Sequence, residues 1–233
     1  MDRFFNLLIK FFLRLKLLFE HYWAESYSQE GEDMILRKIF EKQQPGFYVD
    51  VGAHHPKRFS NTYYFYKRGL NGINIDATPG SMKLFYKFRR KDINIESAIS
   101  KEKKELILYS FDEPAINTFD EALAQQRSIE GKYKLIDEIK IHTKTLSEIL
   151  GQHLPLDKEI DFLSVDVEGF DLEVLQSNDW NRFRPKFVVV ECFGIEKLER
   201  ITSDEVYIFL TDYNYFFYAK TMNTCIFKDS LIN

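Results

Sequence analysis

The stretch Gly46-Phe47-Tyr48-Val49-Asp50-Val51-Gly52-Ala53-His54-His55-Pro56 decides the fold. Phe47 to Val51 is a short β-rich run that stops at Gly52, and turn-forming polar residues follow it. A buried strand ending at a glycine opens many nucleotide-binding α/β units. The glycine lets the backbone turn sharply and lets a ligand come close to the main chain. The design recurs at Gly72-Ile73-Asn74-Ile75-Asp76, an apolar strand capped by a carboxylate. That spacing is near the ~20 residues at which such folds place the acid that binds a ribose. Phe162-Leu163-Ser164-Val165-Asp166-Val167-Glu168-Gly169 and Phe187-Val188-Val189-Val190-Glu191 also end in acids. Four such strands in one sheet put their acids along one edge, where open α/β sheets bind ligands.

Outward from these strands the chain alternates. Ser28-Gln29-Glu30-Gly31-Glu32-Asp33 predicts a helix start, with Met34, Ile35, Leu36, Ile39 and Phe40 behind it. Further helices are predicted over Thr62 to Arg68, from Thr78-Pro79-Gly80 through Phe88, over Leu146 to Leu150, over Asp171 to Ser177 and over Val206 to Thr211. Asp92 to Ile99 reads as a single third strand. Between Lys101 and Asp161 the rhythm is lost: Glu105 to Phe111 and Glu138 to Thr143 read as strands around a polar stretch, Pro114 to Tyr133, with a helix near Asp120 to Gln126. Loops of this length often serve as lids or recognition elements. Tyr215 to Lys220 and Cys225 to Lys228 have hairpin spacing. The pattern describes an α/β fold with a mostly parallel central sheet and a C-terminal antiparallel hairpin.

Met1 to Trp23 differs from the rest. Its residues are largely Phe, Leu and Ile, with Arg3, Asn6, Lys10 and Arg14 in one polar stripe at helical spacing and Lys16 off it. Charges interrupt it before the ~20 apolar residues a membrane span needs, and no small-residue cleavage site follows. Residues 1–24 are thus predicted to be an amphipathic helix beside a domain of residues 25–233. Residues 1–23 fit a membrane surface, the domain itself or a second subunit, and the sequence leaves these readings open.

The chain has 233 residues, 45% of them hydrophobic, enough for one substantial core. A formal net charge of −4 argues against nucleic-acid binding, which needs a basic face. Two cysteines, Cys192 and Cys225, offer no disulfide framework and read as core thiols of a reducing, cytoplasmic compartment.

Tyr27-Ser28-Gln29-Glu30-Gly31-Glu32-Asp33, Asp50-Val51-Gly52-Ala53-His54-His55-Pro56, Ser60-Asn61-Thr62-Tyr63-Tyr64 and Gly72-Ile73-Asn74-Ile75-Asp76, taken in order, resemble the FkbM family of methyltransferases. Thr145-Leu146, Ser164-Val165-Asp166-Val167-Glu168-Gly169, Trp180, Arg184-Pro185 and Val190-Glu191 extend the resemblance from Tyr27 to the C-terminus. Asp76-Ala77-Thr78-Pro79 stands where the family often has Glu-Pro-Asn-Pro, and Asp171 where Glu is common; both keep the acid. The resemblance implies a Rossmann-like class I methyltransferase that uses S-adenosylmethionine and methylates a hydroxyl of a sugar, glycan or related small molecule.

Within that frame Asp50 and Gly52 are expected to shape the cofactor's methionine pocket. Asp76 is expected to accept both ribose hydroxyls, since a carboxylate offers two acceptor oxygens to a cis-diol. Ser97 and Ala98 are expected to flank the adenine. Asp166 ends its strand beside the reacting methyl and can hold the cofactor ammonium, a substrate hydroxyl or a metal ion. Glu168 and His54 are the candidate bases, His having the more suitable ordinary pKa; His55 is a weaker one. Asp166, Glu168 and Glu191 carry hard oxygen ligands for a divalent metal, which the sequence leaves unassigned. Two other readings stand beside this one: a membrane-docked binding module without turnover, and a nicotinamide-dependent oxidoreductase. The absence of Gly-x-Gly-x-x-Gly after the first strand argues against the latter.

Overall fold

A computed structural model of the chain describes residues 9–12, 23–42, 46–192 and 198–232. The amphipathic helix expected over 1–24 lies mostly outside the described residues; residues 9–12 are helical, and Ile9, Phe11 and Phe12 are exposed. In chain order the elements begin α1 Glu32–Ile39, β1 Phe47–Val51, α2 Tyr63–Lys67, β2 Asn71–Asp76, α3 Met82–Phe88, β3 Ile93–Glu96, β4 Ala98–Ile99 and β5 Glu105–Phe111. They continue with α4 Glu121–Glu130, β6 Leu135–Lys144, α5 Leu146–His153, β7 Phe162–Val165, α6 Asp171–Gln176, β8 Phe187–Glu191, α7 Glu205–Asp212, β9 Tyr215–Lys220 and β10 Thr224–Asp229.

Seven strands form the main sheet in the order β3-β2-β1-β7-β8-β10-β9. The first five run parallel, and β10 is antiparallel to both β8 and β9. The order reverses between β1 and β7, which is the switch point of a Rossmann-like, doubly wound sheet. Helices cover both faces. Phe47, Val49 and Val51 pack with α5, α6 and α7 through Leu146, Ile149, Leu175 and Leu210. Tyr48 turns to the other face, against Leu36 and Phe40 beside α1 and Phe65 of α2. Strands buried on both faces have no polar side to show, so they read as apolar runs.

The single strand expected over Asp92 to Ile99 is two strands. β3 completes the main sheet, while β4 lies one residue further on and joins a second sheet of order β4-β6-β5. β4 runs parallel to β6, with Ala98 opposite Thr143 and Ile99 opposite Lys144. β5 and β6 form a long antiparallel ribbon. β6 begins at Leu135, earlier than Glu138, because the ribbon pairs Phe111 with Leu135 through residues too polar to read as a strand. Between them α4 is capped by the Asp120 carboxylate, which accepts from Leu123 N–H, and ends at Gly131 in the left-handed region. Among the described residues no helix is long and apolar enough to cross a membrane.

Candidate active site

The carboxyl ends of β1, β2 and β7 open into a cleft. Gly52, His54, Asp76, Thr78, Ser97, Asp166 and Glu168 line it from the main sheet, and Asn117 and Phe119 line it from the second sheet's side. The sheet edge and the inserted segment thus make its two walls.

Gly52 holds a φ of 82°. A Cβ added there would sit 1.7 Å from the backbone oxygen of Asp166. The crossing of the β1 and β7 loops therefore demands glycine, before any question of a ligand. The Gly52 and Ala53 N–H groups donate to the Ile75 carbonyl at 2.9 and 3.0 Å, which draws the β1 turn against the end of β2.

Asp76 is buried at the cleft wall. One of its oxygens accepts the His54 N–H and the other the Thr78 N–H, each at 2.8 Å. It therefore ties the loops after β1 and β2 together, and each oxygen keeps a second lone pair for a hydroxyl. His54 itself has a φ of 49°, and its Nε2 is buried without a hydrogen-bond partner. Burial holds the imidazole pKa below its ordinary value, with Asp76 opposing. His55 has a structural task instead: its Nδ1 accepts the N–H groups of Lys57 and Arg58.

Asp50 departs from expectation. Strand parity places it on the Tyr48 face, where it is buried, accepts the Thr62 hydroxyl at 2.9 Å and does not line the cleft. Burial pushes its carboxyl up to about 6, against the pull of Thr62 and Arg89. Beneath it lies a network that the sequence did not announce. Arg89, 0% exposed, donates to Asp92 at 2.7 Å, to the Pro56 carbonyl at 3.0 Å, and to the Tyr48 and Thr62 hydroxyls at 2.9 Å each. One guanidinium thereby fixes the loop after β1 from below.

Ala98 is a second departure. Ser97 lines the cleft and its N–H donates to the Asp76 carbonyl, but Ala98 points away, 0% exposed, and Ile99 takes the next cleft position. Alternation along the extended chain gives this parity.

Asp166 and Glu168 both line the cleft. Glu168 has a φ of 54°; its carboxylate pairs with Arg127 of α4, and its carbonyl accepts the Thr118 hydroxyl at 2.7 Å. The candidate base is thus engaged by the inserted segment, although burial still raises its pKa. Asp171 braces the same loop by accepting the Val167 and Gly169 N–H groups, and burial pushes it up to about 7. Asp166 is raised by burial and then by Glu168 and Asp171, against a hydrogen bond from Glu191, and Glu191 is raised by burial and then by Asp166. Two carboxylates this close do not both ionise freely.

Arg127, Thr118, Asn117 and Phe119 escaped the sequence reading. So did the Arg58–Glu113 pair at 2.7 Å, which joins the loop after β1 to the inserted segment. Each depends on contacts between segments far apart in the chain, which local patterning does not encode.

No curated protein matches the sequence. The tRNA (uracil-54, C5)-methyltransferase of Pyrococcus abyssi, solved with S-adenosyl-L-homocysteine, is similar at 13% identity with a TM-score of 0.40. The match covers 89% of this chain and 40% of that one, so the chain spans less than half of that protein's length. The methyltransferase FkbM domain matches residues 50–217, well over half of the sequence. With a Rossmann-like sheet and its cleft at the switch point, the chain belongs to the FkbM methyltransferase-domain family.

Proposed function

We propose that this chain is an S-adenosylmethionine-dependent methyltransferase that acts on a hydroxyl of a sugar, glycan or related small molecule. The observation that carries the reading is the pairing, in one cleft, of a ribose-type acid, Asp76, with a buried and unpartnered imidazole nitrogen, His54 Nε2. Buried polar atoms without partners are uncommon in folded proteins and mark places where a ligand completes the hydrogen bonding. When bound, S-adenosylmethionine supplies a methyl group on a sulfonium. Asp76 has free lone pairs for the ribose hydroxyls, and Gly52 and Ser97 offer close backbone and a small side chain beside it. Phe119, Phe170 and Leu108 line the same cleft and suit an aromatic base.

His54 carries the proton chemistry in this reading. Its lowered pKa keeps it neutral at physiological pH, so Nε2 has a lone pair for the proton that the acceptor hydroxyl loses. Glu168, held by Arg127, is better suited to orienting the acceptor than to taking its proton. The exposed Ile9, Phe11 and Phe12 support a further reading, in which residues 1–23 rest on a membrane surface and bring the cleft to lipid-linked or surface-bound acceptors.

Titration calorimetry with S-adenosylhomocysteine tests the central claim. Wild type should bind it, and Asp76→Ala should bind at least ~10-fold more weakly, the loss of about one charge-assisted hydrogen bond. Folded wild type that does not bind S-adenosylhomocysteine, alone or with acceptor panels present, would sink the reading.

A further inference from the structure

β9 ends the main sheet and, among the described residues, pairs with β10 alone. Its outer side presents N–H and C=O groups with no neighbouring strand. Such an edge is a template for another chain, and folded proteins normally blunt it with charge, proline, shortness or cover. Two other edges of this chain are blunted in those ways. β3 has four residues, ends in the exposed Glu96, and its Asn94 carbonyl accepts the Tyr86 hydroxyl at 3.2 Å. β5 starts at the exposed Glu105, and its Tyr109 N–H donates to the Thr118 carbonyl at 2.9 Å on the side away from β6.

β9 carries none of these devices. It is six residues long, and from Tyr213 to Ala219 the chain has neither a charge nor a proline. Lys220, at its end, turns its Nζ onto the carbonyls of Thr221 and Met222. Lys228 lies opposite Phe216 but on β10, one strand in from the edge. The bulge between Ile226 and Phe227 leaves Tyr218 unmatched on β10, which adds an aromatic where a charge would deter pairing. Phe216 and Tyr218 are 43% and 47% exposed, with ring centroids 6.3 Å apart. Tyr218 leans on Phe187 of the cluster beside α1, so the pair extends that face of the sheet to its rim.

We propose that β9 pairs antiparallel with β9 of a second copy of this chain, about a two-fold axis normal to the sheet. The occupant has to be a strand, because only a strand answers a row of alternating donors and acceptors. It also has to be uncharged, since a charge set against Phe216 or Tyr218 would lose its water. A second copy brings such a strand, and two-fold symmetry sets each residue's face against the same face of its mate. Phe216 and Tyr218 then meet their counterparts across the new strand boundary, a pairing that aromatics favour. Two side chains of ~200 Å² at these exposures leave roughly 180 Å² per copy to bury, besides the backbone. That places the contact below the ~1,200 Å² of stable interfaces, so the dimer is expected at micromolar concentration and not as an obligate assembly. β8 and β10 separate β9 from β7, so each copy keeps its own cleft. The proposal does not rest on the methyl-transfer reading.

Sedimentation velocity of purified full-length protein, from about 1 to about 100 μM, spans the affinity expected of so small an interface. Wild type should pass from monomer to dimer over that range and go no further, because the two-fold pairing closes on itself. Tyr218→Lys and Phe216→Glu each set like charges against one another across the axis and should weaken the dimer at least ~10-fold. Both sites are exposed, so thermal midpoints should stay within a few degrees of wild type. Leu156→Glu, a fully exposed site elsewhere, should leave the dimer as it is. Amide hydrogen exchange over residues 215–220 should slow at the concentrations where dimer forms. Wild type that stays monomeric at about 100 μM overturns the proposal. A dimer that persists in both edge variants overturns it too, and places the contact on another surface such as residues 1–23. So does a dimer whose β9 amides exchange as fast as those of the monomer. Should one edge variant unfold, the other and the exchange measurement decide.

Discussion

His54 sits in the left-handed region and is tethered through its own N–H to Asp76. Such a conformation costs ~1–3 kcal/mol in a residue with a side chain, and it persists where the surroundings over-determine it. Its imidazole is therefore presented, not free to wander. His54→Asn should lower kcat by roughly 10²-fold or more, the usual worth of a positioned base, with S-adenosylhomocysteine affinity within a few-fold of wild type. A kcat that stays within a few-fold would remove His54 from the chemistry. Asp50 gives a pH signature. Its folded pKa of about 6 lies above the ordinary 3.8. The folded chain thus holds a proton that the unfolded chain gives up, and the associated stability is present below about pH 4 and lost as pH rises to about 6. The loss is at most ~3 kcal/mol. Asp50→Asn keeps an acceptor for the Thr62 hydroxyl and removes the slope. Urea denaturation from about pH 4 to pH 7 should show a flatter profile for the variant and greater stability than wild type at the neutral end; a wild-type profile flat over that range would refute the buried-proton account.

Among the elements, the loop after β1 depends on a guanidinium that belongs to the end of α3. Arg89 and Asp92 are both 0% exposed as side chains and 2.7 Å apart. Removing one partner of a buried ion pair leaves a bare charge, which costs ~3–5 kcal/mol. Arg89→Met should destabilise by about that much, and Arg89→Met with Asp92→Asn should recover part of it. Denaturation midpoints of the three proteins decide this, and a double variant no better than the single would show that packing, not charge, is at stake. No local pattern marks Arg89 for this place, because an arginine near a helix end normally reads as solvent-exposed. The reverse holds for the strands. Phe47 to Val51, Phe162 to Val165 and Phe187 to Glu191 were legible because burial on both faces leaves runs that are mostly apolar. The break at Ser97 was not legible, because no glycine or proline interrupts Ile93 to Ile99 and a side-chain pattern does not say which sheet a strand joins. Asp50 was placed wrongly for want of parity: Tyr48 and Asp50 share a face, and Val49 and Val51 share the other.

For the whole molecule, the sheet carries the cleft on one edge while the apolar N-terminal segment exposes Ile9, Phe11 and Phe12. Deleting residues 1–23 should abolish sedimentation with anionic liposomes and leave S-adenosylhomocysteine binding intact. Liposome binding that survives the deletion places the contact elsewhere, and a deletion that changes the oligomeric state instead assigns the segment to a second subunit. The half of the cleft lined by Gly52, Asp76 and Ser97 on strand ends was readable from local motifs. The other half was not, since Asn117 and Phe119 reach it, and Arg127 reaches Glu168, only through the tertiary structure.

β4 and the end of β6 lie side by side, Ala98 against Thr143 and Ile99 against Lys144. Everything from Ser100 to His142 therefore departs from and returns to the same spot. A segment anchored in this way is exchangeable: one of different length or sequence can be grafted between Ile99 and Thr143 without stretching the host, because its ends are already held together. Diversity in what the cleft accepts could then accumulate in the graft, while the sheet edge that holds Gly52 and Asp76 stays untouched. Chimaeras joined at those two positions are a direct route to new acceptors.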